Sequence, residues 1–373
     1  MILRKIQPEI EKKLFDKKII ILLGARQVGK TSMLETIFAN NKNAVWLNAD
    51  EAVIQTLFEN FTVSSFSAFV GDAKLVIIDE AQQLADVGIK LKQLYDKSAK
   101  FKIIVTGSSA FELRNKTNEP LTGRKWEYQL YPCSFMELAN NSNIPSEVQA
   151  LETRLLFGSY PEIVIHNGDE KERLQTLASS YLYKDVLMWQ GLKKPEKIMQ
   201  LLKVLALQIG SEVNYNELGK QLQLSNETIE KYISILEQTF VIFRLPSYST
   251  NLKKELTKGK KIYFFDNGVR NAIIGDYRAI AIRQDVGALF ENYIISELWK
   301  KNSNEKKYAE FYFWRTADQQ EIDLIIDNDG TLNTYEIKWN PKAKVKLSKT
   351  FSSNYPNHNF TVIHKDNFWE YLV

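Results

Sequence analysis

The run Gly24-Ala25-Arg26-Gln27-Val28-Gly29-Lys30-Thr31 satisfies the pattern GxxxxGK[ST] in full. Glycines at this spacing let a loop curl until its backbone N–H groups face an anion. A helix that opens on such a loop adds the positive end of its dipole to the same field. Lys30 would reach the β and γ phosphates of a nucleoside triphosphate, and Thr31 would hold magnesium through its hydroxyl. Residues Gly24, Ala25, Arg26, Gln27, Val28, Gly29, Lys30, Thr31 and Ser32 are therefore the nucleotide-binding candidates.

A second group completes that chemistry. The apolar run Leu75–Ile78 ends in Asp79 and Glu80. Asp79 would hold the magnesium and Glu80 would polarise the attacking water. Another apolar run ends in Thr106-Gly107-Ser108-Ser109, where Ser108 or Thr106 would sense the γ-phosphate. Arg124 precedes the next strand and would act as an arginine finger on its own or a neighbouring subunit's nucleotide, the latter requiring a homo-oligomer.

A third constellation lies near the end of the chain. Glu291 sits in a helical stretch, Asp323 in a strand pattern, and Glu336-Ile337-Lys338 in the next strand pattern. Residues i and i+2 of a strand face one side, so Glu336 and Lys338 project together and Asp323 can reach the same face. Helix–acid, strand–acid and acid-x-lysine resemble the PD-(D/E)xK nucleases of restriction-endonuclease-like fold. That resemblance implies magnesium held by Asp323, Glu336 and Glu291, with Lys338 orienting or deprotonating the nucleophile. The bland alternative is an amphipathic hairpin with its charges on the wet face.

The elements that must position these groups follow from periodicity. Runs at Ile19–Leu23, Ala44–Leu47, Leu75–Ile78, Ile103–Val105 and Trp126–Leu130 alternate with helix-length segments. That pattern predicts parallel strands buried on both faces. From Ser134 to Gln208 the pattern is helical. Tyr215 to Gln238 reads as helix, turn, helix, capped at Ser225, and two strands after it (Phe240–Leu245 and Lys261–Phe265) make a winged helix. Ala279–Val286 reads as a linker, then come the helix Gly287–Lys301 and strands Phe311–Arg315, Glu321–Asp327, Leu332–Trp339 and Phe360–Ile363. The expected architecture is α/β in three parts. Residues 1–133 form a P-loop NTPase parallel-sheet domain, and 134–278 a helical lid and winged-helix domain. Residues 279–373 form an α/β restriction-endonuclease-like domain.

Composition narrows the class. The chain has 373 residues, 44% hydrophobic and 25% charged, as soluble globular proteins do. One cysteine, Cys133, excludes an intrachain disulfide framework, and three histidines exclude the usual structural zinc sites. No apolar run approaches membrane-spanning length, and Met1–Leu23 carries too many charges for a secretory leader, so a cytoplasmic location is expected. The net charge of +4 does not by itself imply nucleic acid. Two lysine-rich segments, within Asn251–Lys261 (lysines from 253 to 261) and Lys338–Lys349, would contact the DNA backbone.

The runs at 24–31, 78–82, 106–109 and 122–124, with Leu130-Tyr131-Pro132, resemble a large prokaryotic group of AAA-type ATPases. That group is related to the archaeal and signalling-type (STAND) ATPases, of the additional-strand class. The resemblance spans essentially the whole chain and implies binding of ATP and Mg2+. Three functions follow as expectations. ATP gates a C-terminal metal-dependent nuclease acting on DNA, or ATP drives a regulatory switch whose C-terminal domain is inactive and binds a partner. The third is a chaperone-like or signalling ATPase with no nucleic-acid role.

Overall fold

The computed structural model describes residues 2–97, 100–108, 117, 119–166, 168–181, 186, 194–249, 259–316 and 318–373. The chain divides into two units: Met1–Tyr131 with Gln238–Phe240, and Pro132–Glu237 with Val241–Val373.

The first unit is built on a five-stranded parallel sheet. Its strands are β1 (Ile19–Leu23), β2 (Ala44–Asn48), β3 (Leu75–Asp79), β4 (Lys102–Gly107) and β5 (Lys125–Gln129). They lie in the order β2-β3-β4-β1-β5. Every residue of β1, β3 and β4 is buried, whereas the edge strands β2 and β5 are largely half-exposed. Central strands covered on both faces need unbroken apolar runs, which is why these read so clearly in the sequence. Each buried Ile, Leu or Val contributes on the order of 1.5–3 kcal/mol by leaving water. The order places β4 between β1 and β3, so a side chain leaving the end of β4 can touch groups on both neighbours.

The second unit holds two sheets among helices. Helix Pro195–Leu207, β6 (Glu212–Val213), helices Tyr215–Leu222 and Asn226–Gln238, β7 (Ile242–Pro246) and β8 (Lys260–Phe264) follow one another. The strands pair antiparallel in the order β6-β8-β7. Ser225 caps the second helix of the pair, its Oγ accepting the Thr228 N–H at 3.2 Å. Ala279–Val286, read as a linker, is anchored instead. Arg283 is buried, donates to Asp285 and to the Asp276 carbonyl, and shares Asp285 with Arg270.

The C-terminal sheet follows the helix Val286–Asn304 and contains β9 (Glu310–Arg315), β10 (Glu321–Asn328), β11 (Thr331–Lys338) and β12 (His358–His364). Its order is β12-β11-β10-β9. β9, β10 and β11 pair antiparallel, and β12 runs parallel to β11 after the helix Lys349–Asn354. The β10–β11 register sets Leu324 opposite Tyr335, which puts Asp323 opposite Glu336. The β9–β10 register slips between Ile322 and Ile325, a bulge that sets Asp323 and Leu324 against the single residue Phe313. Among the described residues no helix is long and apolar enough to cross a membrane.

Candidate functional site

The phosphate-loop candidates gather at the C-terminal edge of the parallel sheet, where ligands bind in open α/β folds. Lys30 begins the helix Lys30–Ala39, behind Gly29 in the left-handed region at φ 94°. The buried Lys30 Nζ spans the loop and donates to the carbonyls of Gly24 and Ala25 at 2.8 and 2.9 Å. Gly24 is needed for a different reason from Gly29. A Cβ there would lie 2.2 Å from the Leu130 carbonyl oxygen, so close packing against the end of β5 demands glycine. Thr31 Oγ1 stands 3.2 Å from Asp79 Oδ2. Both are hard oxygen donors of the kind magnesium takes, so the pair fits that ion.

Thr106, at the end of β4, holds the acids in place. Its hydroxyl donates to Asp79 Oδ1 and accepts the Glu80 N–H at 3.0 Å. Glu80 sits in the left-handed region at φ 53°, unusual for a residue with a Cβ. Gln82 Nε2 donates to the Glu80 carboxylate and to Ser108 Oγ at 3.3 Å, linking the two sequence candidates. Thr106 is thus committed to orienting acids, and Ser108 lies nearest to Glu80's partner. Ser109 lies outside the described residues.

The C-terminal candidates also converge. Lys338 Nζ lies 2.7 Å from Asp323 Oδ2 and 2.8 Å from Glu336 Oε2. Asp323 Oδ2 accepts the Ile337 N–H as well, at 2.8 Å. Glu291 accepts a hydrogen bond from Tyr263 OH at 2.6 Å and pairs with Lys261 Nζ at 3.4 Å. Lys261 also pairs with Glu321 at 2.5 Å. Burial pushes the Glu291 carboxyl up to about 7, with Lys261 opposing and the Asp323 charge adding to the rise. Burial, then the facing Asp323, push Glu336 up to about 7 against the pull of Lys338. Burial works against the charge on Lys338, but Asp323 and Glu336 outweigh it and raise its pKa.

Residues 16–139 match the family described as an AAA domain. Most of that stretch lies in the first unit. Residues 148–278 and 286–369 each match a domain of unknown function, DUF8612 and DUF4143 respectively. An uncharacterized protein of Mycobacterium tuberculosis, Rv2008c, is 24% identical over 326 residues, covering 86% of this chain and 70% of its own. The uncharacterized protein MJ1544 of Methanocaldococcus jannaschii is 24% identical over 343 residues, covering 86% and 75%. Among solved structures, the Walker-type ATPase PABY2304 of Pyrococcus abyssi has a TM-score of 0.52 at 16% identity. That match covers 73% of this chain and 96% of the other. It supports the P-loop ATPase fold of the AAA domain.

Within the AAA domain, one candidate is not brought to the site. The Ile19 N–H donates to the Arg124 carbonyl, so Arg124 lies where β1 and β5 begin. The phosphate loop leaves the far end of β1, roughly 16 Å away at about 3.3 Å per residue. There Arg124 pairs with Asp96 at 2.9 Å. It does not serve the chain's own nucleotide, and any finger role is limited to a neighbouring subunit's. A residue the sequence did not flag does serve the loop. Arg4 is buried and donates to the carbonyls of Val28 and Tyr131 at 2.5 Å, bracing the loop from beneath. It stands beside Lys5 and among Ile2, Ile6 and Ile10, and nothing in the sequence sets Arg4 apart from a surface cation.

Glu291, Asp323 and Glu336, the metal-ligand candidates of the sequence, are paired with ammonium groups in this structure. Among the described residues, no three His, Cys, Asp or Glu side chains form a metal-holding group. Ammonium groups stand between the carboxylates, Lys338 at one end and Lys261 at the other. Lys261 and Tyr263 were not anticipated, since only folding brings β8 to these acids; Glu321 begins β10, two residues before Asp323.

These shifts have a sign. A carboxyl whose pKa is higher folded than unfolded binds more protons in the folded state. Its contribution is fully present below the unfolded value and is lost as pH rises through the folded one. For Glu291 and Glu336 that window runs from about 4.5 to about 7. Urea unfolding should therefore show lower stability at pH 8 than at pH 5, and Glu291→Gln should shrink the difference. An undiminished difference would remove Glu291 as its source.

Proposed function

We propose that the AAA domain binds ATP with magnesium and hydrolyses it, and that its nucleotide state governs a metal-dependent, nuclease-like C-terminal region acting on DNA. The observation that carries the first half is the junction of Thr31, Asp79, Thr106 and Glu80. The side chains of Thr31, Asp79 and Thr106 and the Glu80 backbone N–H are hydrogen-bonded to one another beside the loop that ends in Lys30. ATP with magnesium at 100 times its dissociation constant should stabilise the protein by about 2.7 kcal/mol. A thermal melt reads this directly, and Lys30→Ala should abolish the shift. A wild-type melt unmoved by ATP would end the proposal.

The second half rests on the C-terminal centre. Helix, three antiparallel strands, helix and strand, with Glu291, Asp323, Glu336 and Lys338 drawn together, support a restriction-endonuclease-like reading of 279–373. The oxygen donors suit magnesium, which would stabilise charge on a scissile phosphate. The order of helices and strands over 195–264 supports the winged-helix reading of 134–278. Its second helix, Asn226–Gln238, carries Glu227, Glu230 and Glu237 against Lys231, so it is poorly suited to phosphates.

Lysines of the other segment suit them better. Lys342, Lys344, Lys346 and Lys349 are all at least partly exposed on the stretch after β11. Lys253, Lys254 and Lys258 lie outside the described residues, and Lys261 is buried in its ion pairs. Substituting Lys342, Lys344 and Lys346 with alanine should lower the salt slope of duplex binding by about 0.9 for each phosphate that is no longer neutralised. An unchanged slope would exclude this segment.

A second reading is favoured by the lysines inside the carboxylate centre. A centre whose acids are held by lysines suits a regulatory ATPase switch whose C-terminal domain binds a partner without cutting. Cleavage of plasmid, single-stranded and branched DNA with magnesium or manganese separates the two. Activity no higher than that of Lys338→Ala would favour the switch.

A further inference from the structure

Lys261 belongs to β8, within the stretch matched by one domain of unknown function, while Glu291 and Glu321 lie in the stretch matched by another. Its side chain is only 3% exposed, with Nζ 2.5 Å from Glu321 and 3.4 Å from Glu291. Two residues along the same face of β8, Tyr263 donates to the same Glu291 oxygen at 2.6 Å. The centre therefore holds four carboxylates (Glu291, Glu321, Asp323 and Glu336) against two ammonium groups, Lys261 and Lys338.

A buried ammonium beside a carboxylate repels a divalent cation seeking the same oxygen, and low-dielectric surroundings strengthen that repulsion. Lys338 fits the acid-x-lysine pattern and is partly exposed, at 37%. Lys261 fits no part of that pattern. It comes from outside the C-terminal sheet and reaches the helix acid.

We infer that Lys261 is a tethered counter-cation that neutralises Glu291 and Glu321 and holds divalent cations off the centre. This rests on the metal-dependent reading of that centre. β8 is tied to the helix that carries Glu291, because the Phe264 N–H donates to Asn292 Oδ1 at 2.7 Å and Asn292 Nδ2 donates to the Phe264 carbonyl at 3.0 Å, so the ammonium is held at the acids.

The test measures Mn2+ binding by electron paramagnetic resonance in the full chain without nucleotide. Asp79→Asn is present throughout to remove the phosphate-loop ion. Lys261→Met should bind Mn2+ at least tenfold more tightly than the chain that keeps Lys261, and Lys261→Arg should not. Adding Glu291→Gln to Lys261→Met should abolish the gain. Equal affinities with and without Lys261→Met would overturn the inference and leave the metal reading standing. Absence of Mn2+ binding in every variant would overturn both. A measurement without substitution at Lys261 guards against misfolding. Acylation by a lysine-reactive ester, read by mass spectrometry, should spare Lys261 without Mn2+ and label it when Mn2+ is added. Labelling that ignores Mn2+ also overturns the inference.

Discussion

Glu80→Gln should keep ATP binding and lose turnover, with kcat falling by roughly 10²–10⁴-fold, the usual worth of a positioned base. Glutamine preserves shape and hydrogen bonding but cannot take a proton. The Glu80 backbone is pinned by Thr106, and its carboxylate is held by Gln82, so the substitution changes chemistry more than position. Phosphate release and nucleotide-dependent melting, measured together, give the answer. A loss below about tenfold would move the base role away from Glu80, and a lost melting shift would show that the loop itself had been disturbed.

Lys300→Met should be the most destabilising single change in the second unit, by about 3–5 kcal/mol. Lys300 and Glu297 are each 2% exposed and 2.7 Å apart on the helix Val286–Asn304. Glu297 also accepts the Phe135 N–H at 2.7 Å, and Lys300 donates to the Cys133 carbonyl at 3.3 Å. Removing the lysine strands a buried carboxylate whose pKa burial already raises. The double variant Glu297→Gln, Lys300→Met should recover part of the loss, since no charge is left alone. Urea unfolding followed through Trp299 and the other tryptophans measures both. A single-variant loss below about 1 kcal/mol would mean that water reaches the pair.

The sequence made the phosphate site legible because its parts are local. Residues 24–31 form one contiguous loop, and Asp79 and Glu80 end an apolar run that only a buried parallel strand explains. The edge on which Arg124 sits was not legible. Spacing places it before β5, but only parallel pairing with β1 shows that this is the end remote from the phosphate loop. At the C-terminus, Asp323, Glu336 and Lys338 were readable from strand alternation. Lys261 and Tyr263 were not, because their contacts with Glu291 span 30 and 28 positions and follow no period. β6 has two residues, too few for any pattern to register.

The borrowing of Lys261 and Tyr263 by the last sheet bears on how this protein can be inherited and dissected. A crossover or a cloning junction anywhere between residues 265 and 286 would hand the final fragment Glu291 and Glu321 without their ammonium. Recombination that shuffles these regions as interchangeable cassettes should therefore be penalised, and the hairpin and the terminal sheet should travel between genomes as one heritable piece.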